Sequence, residues 1–459
     1  MNIWKKLQLE EALSAKIKAS KENFGKIEFN SKHIEQNDIF IALSEGKGDG
    51  HNYVQDAVVK GAALVIVEKY VNDIDPDKQV LVKNSLDSLY QLALYKRKNT
   101  NAKIIAITGS VGKTSFKEIL NTILSSNAKV FSSYKNFNNY IGVPLNIASM
   151  PDNIDYAVFE VGMSNSNEIH EIVKLLRPNI GVITSIAPVH IENFSSVQEI
   201  ADAKLEIFDY FDEIGIAVLP KDSEYFLYME NHLRSKNINN IYSFGCLDDA
   251  FARYAGYIQT FEKSEFDVTI SGNTYHIITS LVGKHHASNI SGAIIIASLL
   301  NMNIAEVAQS VQYISPVEGR GNIINLNFTG KDLIVINDSY NASPDSIKAS
   351  LMNYRYLDIK NKSLILGDMR ELGDKSIEYH ENLDKFVLES GSSILITVGP
   401  FMKYLHNRLK ETGLHCFHFS DVDSCCTQLE ELLFKADSVL IKASNGMKLY
   451  KIVEYLKKL

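Results

Sequence analysis

The chain has 459 residues, 45% hydrophobic and 22% charged with only 9 prolines, which excludes disordered and fibrous classes and exceeds what one hydrophobic core organises. A formal net charge of −8 excludes a general nucleic-acid binder, which needs a basic surface to displace counterions from phosphate. Cys246, Cys416, Cys425 and Cys426 show no C-x-x-C spacing and read as free thiols; without an apolar stretch after Met1–Lys6 long enough for a signal peptide or a membrane span, a cytoplasmic protein with no membrane insertion is expected.

The elements divide into three units. In residues 1–83, Asp38–Leu43 and Ala63–Val67 read as strands flanking the polar loop Gly46–His51. Residues 84–314 alternate helical patterns with apolar runs at 103–108, Tyr156–Val161, Ile180–Ile186 and Ile216–Leu219. That alternation predicts a parallel sheet covered by helices. Phe266–Ile270 and Tyr275–Ile278 flank Ser271–Thr274 and predict an inserted hairpin. From 315 to 459 the rhythm restarts, with strands expected at 332–337, 363–366, 393–398 and 438–442. The fold class is α/β throughout: a small N-terminal unit, a central parallel sheet and a second, Rossmann-like doubly wound sheet. Ligands of such sheets bind beyond the carboxyl ends of the strands.

The run at 103–108 breaks into Gly109-Ser110-Val111-Gly112-Lys113-Thr114-Ser115 before a helix. Backbone N–H groups from Gly109 to Lys113 and the positive end of the helix dipole suit a triphosphate. Lys113 would face the outer phosphates and the Thr114 hydroxyl could ligate magnesium. The full phosphate-loop pattern wants a glycine five residues before Gly112, where Ile107 stands. Strand 156–161 carries Glu160 at its carboxyl edge, where a magnesium ligand belongs, because magnesium takes one or two carboxylates and keeps waters. His190 follows the next strand; taken alone, such a histidine is more often a packed or surface residue than a ligand.

Ser196 with Glu199 predicts a capping-box start for a helix over 196–211. Lys204 shares the apolar face of Ile200 and Phe208. Either its stem snorkels outward, or burial pushes the amine toward its neutral form, which reacts with carbon dioxide to give an anionic carbamate. Gly283–Asn289 precedes a buried helix, Ile290–Leu300. Arg320, between Gly319 and Gly321, opens the third unit and could reach phosphate across a cleft.

Taken together, Thr108–Ser115, Asn136–Asn139 with Gly142-Val143-Pro144, Glu160–Met163, His190 and Ala203–Phe208 resemble the Mur ligases, ATP-dependent amide-forming enzymes of peptidoglycan precursor synthesis. Asp338–Ser346 and Leu366–Gly373 are similar to the branch that adds D-alanyl-D-alanine to UDP-N-acetylmuramoyl-tripeptide. The resemblance implies that Gly109–Ser115 hold ATP and that Thr114 and Glu160 ligate magnesium. It implies a second magnesium at His190 and a carbamylated Lys204, and makes Lys113, His190 and Lys204 catalytic. Asn289, Arg320 and Asp338 would bind adenine, phosphate and ribose. Ser31, Asp49 and His51 would hold the UDP end of the precursor, with Asn138, Asn139 and Asn341 also on substrate; a monomer is expected. The chain departs from the pattern at His286, Asn337, Asn167 and in Lys442–Met447, which leaves Lys442 without an assigned role. Other readings are a sister ligase that adds the third residue or extends folate, and a nucleotide switch without amide synthesis, which has no need of Glu160, His190 and Lys204 together.

Overall fold

The computed structural model describes residues 2–44, 48–134, 137–189, 191–211 and 214–459. Three parallel or mostly parallel sheets follow one another along the chain. The first has four strands, Ile27–Glu28, Ile39–Ile41, Leu64–Val67 and Gln79–Leu81, paired in that order and all parallel. Its middle strands are buried on both faces, so they read as unbroken apolar runs. Trp4 docks this unit on the next: its indole Nε1 donates to the Ala148 carbonyl at 2.8 Å, and the Lys96 ammonium lies 4.7 Å from its ring centre.

The central sheet has nine strands. Lys103–Thr108 lies between Tyr156–Glu160 and Ile180–Ile183, parallel to both. The chain passes from Lys103–Thr108 to the edge strand Val130–Ser132, returns through Tyr156–Glu160, and then crosses to the other side at Ile180–Ile183. This reversal opens a crevice at the strands' carboxyl ends. The register sets Ile107 opposite both Glu160 and Val182. Ile107 is fully buried among Ile105, Phe116 and Val182. The strand therefore runs through position 107, where a longer phosphate loop would turn, and ends one residue later at Thr108; an apolar side chain at 107 stabilises the sheet.

The inserted hairpin exists, with strands Ser264–Ile270 and Asn273–Thr279 joined through Ser271 and Gly272, both at positive φ. It extends the sheet through Ala252–Gln259. Two elements differ from expectation. The helix predicted over 196–211 is α-helical only over Val197–Leu205 and tightens to a 3₁₀ turn at Glu206–Phe208. Its capping box is half made: the Ser196 hydroxyl accepts from Glu199 N at 3.2 Å, but the Glu199 carboxylate turns back to Ser195 N at 2.7 Å. The buried helix expected from Ile290 starts at Lys284 and runs to Leu299, which puts Asn289 inside it.

The third sheet has six strands in the order Asn322–Phe328, Lys331–Asp338, Ser438–Lys442, Lys362–Gly367, Ile394–Val398 and His415–Phe419. All are parallel except the first, which pairs antiparallel with its neighbour. Among the described residues no helix is long and apolar enough to cross a membrane.

Candidate active site

A cleft of about 1040 Å³ separates the carboxyl ends of the central sheet from those of the third. Its walls include Ser110–Ser115, Asn138, Asn139, Glu160, Asn289, Arg320, Asp338 and Asn341, so most of the expected site residues meet there. Ser31, Asp49 and His51 lie in the first unit and are not among its lining residues. His190 lies outside the described residues.

The loop after Thr108 is braced by its neighbour strand. Ser110 N donates to the Ser185 carbonyl at 2.9 Å, Val111 N to Ser185 Oγ at 3.0 Å, and the Ser110 hydroxyl bonds Ala187 O at 2.9 Å. Two loop N–H groups thus hold the loop's shape and do not face an anion directly, unlike the simple cradle expected from the sequence. Lys113 curls back to donate to the Gly109 carbonyl at 2.7 Å. Gly112 has φ +87°, and a Cβ there would sit 3.2 Å from Asn289 Nδ2, so both the turn and the close approach of helix Lys284–Leu299 favour glycine.

Thr114 is the hub. Its hydroxyl donates to Glu160 Oε2 at 2.7 Å and accepts from Arg320 Nη2, across the cleft, at 2.9 Å. Glu160 is 2% exposed, and its other oxygen accepts from Asn138 Nδ2 at 2.8 Å. The positive-φ glycines 319 and 321 flank Arg320 and turn it into the cleft, and its guanidinium stacks 4.1 Å from the Tyr340 ring centre. Asn139 does local work: its side chain accepts from Gly142 N at 2.9 Å, at the start of helix Gly142–Ala148.

Lys204 is 2% exposed, so its stem does not snorkel. Burial first, and then the charge of Lys113, hold its ammonium well below the ordinary lysine value. Among the described residues it has no acidic partner. Lys113 is also lowered, by burial first, with Glu160 opposing and Arg320 adding to the shift. Lys113 and Arg320 thus share one buried carboxylate, and Lys204, which does not line the cleft, lies within reach of the Lys113 charge; such an excess of positive charge is relieved by further anions. Glu206, on the same segment as Lys204, accepts from Asn167 N at 2.7 Å and His170 N at 3.0 Å. It ties that segment to the loop after Glu160, where Asn167 adopts φ +68°.

Across the cleft, the Lys442 ammonium bonds Asp338 Oδ2 at 2.8 Å and the Asn341 carbonyl at 3.0 Å. The Ser350 hydroxyl donates to the same carboxylate oxygen. Lys442 therefore fixes Asp338, a role its sequence context does not reveal. In the first unit, Ser31 and then Lys60 hold the Asp56 carboxyl below the usual carboxylate range. His51 has both ring nitrogens engaged, Nδ1 on Asp49 Oδ1 at 2.6 Å and Nε2 accepting from Glu68 N at 2.9 Å.

The oxygen donors of Thr114 and Glu160 suit a hard cation of magnesium's kind, and the unsatisfied positive charge around them suits polyphosphate. A phosphate loop on one parallel sheet, closed by an arginine from a second, defines a nucleotide-using two-sheet α/β enzyme. Residues 107–297 match the Mur ligase middle domain and residues 319–445 the Mur ligase glutamate ligase domain. The UDP-N-acetylmuramoyl-tripeptide–D-alanyl-D-alanine ligase of Rickettsia prowazekii is 41% identical over 453 residues, 99% of each chain. A crystal structure of MurF from Acinetobacter baumannii superposes with a TM-score of 0.83 at 26% identity, covering 99% of each chain. A MurF ligase from Thermotoga maritima in complex with ADP superposes at 0.75 with 24% identity, covering 95% of this chain and 97% of that one. The chain belongs to the Mur ligase family.

Proposed function

We propose that the chain uses ATP to join D-alanyl-D-alanine to the terminal carboxylate of UDP-N-acetylmuramoyl-tripeptide, releasing ADP and phosphate. The observation that carries this reading is the meeting of Glu160, Thr114 and Arg320 across the cleft, in a chain that aligns end to end with a ligase of that name. An ionised carboxylate resists an amine because its oxygen is a poor leaving group. Transfer of the γ-phosphoryl of ATP to that oxygen gives an acyl phosphate, which the dipeptide amine attacks; the tetrahedral adduct then expels phosphate and leaves the amide.

The chain's own groups serve each need. Lys113, from the loop itself, and Arg320, from across the cleft, neutralise charge that develops on the moving phosphoryl group. Asn289 and Asp338, with Lys442 behind it, hold the nucleoside. Thr114 and Glu160 would hold magnesium, and Lys204 as its carbamate, with His190, would hold a second; bound there, the metal supplies charge neutralisation between acceptor carboxylate and phosphate. Closure of the third unit over the loop keeps water from the acyl phosphate. Residues 1–83, with Ser31, Asp49 and His51, are assigned to the UDP end, residues 84–314 to ATP and residues 315–459 to closing the site. We read the protein as a cytoplasmic monomer; its four free cysteines fit a reducing compartment.

ADP release tests the reading. It should require muramoyl-tripeptide and D-alanyl-D-alanine together, and stimulation by a single amino acid instead would favour a sister ligase.

A further inference from the structure

We infer that Arg370 receives the free carboxylate of the incoming D-alanyl-D-alanine, an inference that rests on the ligase reading. The dipeptide brings an amine that must attack and a carboxylate that does not react. Drawing that anion into a cleft requires a cation that the nucleotide does not use. Four lysine or arginine side chains line the cleft among the described residues: Lys113, Arg320, Arg370 and Lys442. Lys113 lies in the phosphate loop, Arg320 reaches that loop at Thr114, and Lys442 is paired with Asp338.

Arg370 is the one left uncommitted. It forms no salt bridge among the described residues, its charge acting on the buried Asp368 carboxylate only at longer range, and its guanidinium Nη2 lies 3.8 Å from Met447 Sδ. Its backbone is pinned, with N donating to Ser444 Oγ at 2.9 Å. The wall beside it is glycine, and a Cβ at 446 would overlap the guanidinium. Leu372, buried and lining the same cleft, gives small methyl side chains an apolar contact. The loop also approaches the central unit: a Cβ at Gly373 would lie 3.8 Å from that of Glu192. An amine about one dipeptide length from Arg370 is thereby directed toward the central sheet, where the acyl phosphate forms.

The test compares D-alanyl-D-alanine with D-alanyl-D-alaninamide as acceptors, at fixed ATP and tripeptide, in wild type, Arg370→Gln and Arg370→Lys. Wild type should prefer the free acid by roughly 10- to 100-fold in kcat/KM, the range for a hydrogen bond to a charged group. Arg370→Gln should shrink that preference to about threefold or less through the dipeptide KM, leaving the KM for ATP unchanged, and Arg370→Lys should keep part of it. A role confined to folding would not alter the ratio between two acceptors. The proposal is overturned if wild type accepts both equally or if Arg370→Gln keeps the full preference; should that variant not fold, the wild-type and lysine arms decide it. Failure of the ligase reading looks different: wild type would release no ADP with tripeptide and dipeptide together.

Discussion

Replacing Lys442 with methionine removes one half of a pair whose side chains are only 4% and 16% exposed and whose charged atoms are 2.8 Å apart. Stranding one partner of such a pair costs about 3–5 kcal/mol. Asp338 keeps the Ser350 hydroxyl, so the lower end applies, about 3 kcal/mol, or roughly 6–12 °C in the unfolding midpoint of a domain-sized unit. The same change frees the Asp338 carboxylate to rotate, and the KM for ATP should rise about tenfold, equivalent to 1.4 kcal/mol of lost binding. Adding Asp338→Asn removes the stranded charge. The double variant should regain most of the stability while its KM for ATP stays high. Thermal unfolding of the full chain by circular dichroism, with ATP kinetics, reads both effects. A Lys442→Met midpoint within about 1 °C of wild type, or no recovery in the double variant, would refute the reasoning, because an exposed pair contributes that little.

Tyr340→Phe should leave the KM for ATP within about twofold, whereas Tyr340→Leu should raise it about 5- to 10-fold, since the ring and not the hydroxyl carries Arg320; in an Arg320→Ala background the leucine penalty should vanish, and an equal penalty in both backgrounds contradicts this. For Lys204, burial and then Lys113 lower the folded-state pKa, so between that depressed value and the ordinary 10.5 the unfolded chain binds a proton that the folded one lacks. Wild-type stability then rises with pH through the window. In buffer free of carbon dioxide and metal, Lys204→Met should unfold at a higher temperature than wild type near neutral pH, the gap shrinking toward pH 10.5; a constant gap counts against it. Lys204→Ala should lose activity and partly regain it with carbon dioxide and a short carboxylic acid, and wild-type rates in that variant would sink the carbamate. Gly112→Ala, strained at φ +87° and close to Asn289, should weaken ADP binding about tenfold by calorimetry, at a strain of about 1–3 kcal/mol; unchanged affinity refutes it.

Much of the fold is written in local pattern. The buried strands of the parallel sheets are contiguous apolar runs, and the phosphate loop, Glu160 and the inward face of Lys204 follow from strand ends and helical spacing. Ile107 departs from the loop spacing, which is local, while the reason for an isoleucine there is burial against Val182 on a neighbouring strand far away in sequence. The partners of Lys442, Tyr340 and Arg370 were illegible for the same cause: Asp338 lies 104 residues from Lys442 and Ser444 lies 74 from Arg370. Only the topology brings them together. The helix at 197 ends early because side-chain periodicity does not distinguish an α-helical from a 3₁₀ final turn.

The central claim, that the γ-phosphoryl group passes to the peptide carboxylate, is tested most directly with tripeptide carrying oxygen-18 in its terminal carboxylate, turned over with ATP and D-alanyl-D-alanine. One labelled oxygen should appear in the inorganic phosphate for each pentapeptide formed, because the oxygen that accepts the phosphoryl group leaves with it. Unlabelled phosphate, with amide product still accumulating, would contradict the mechanism.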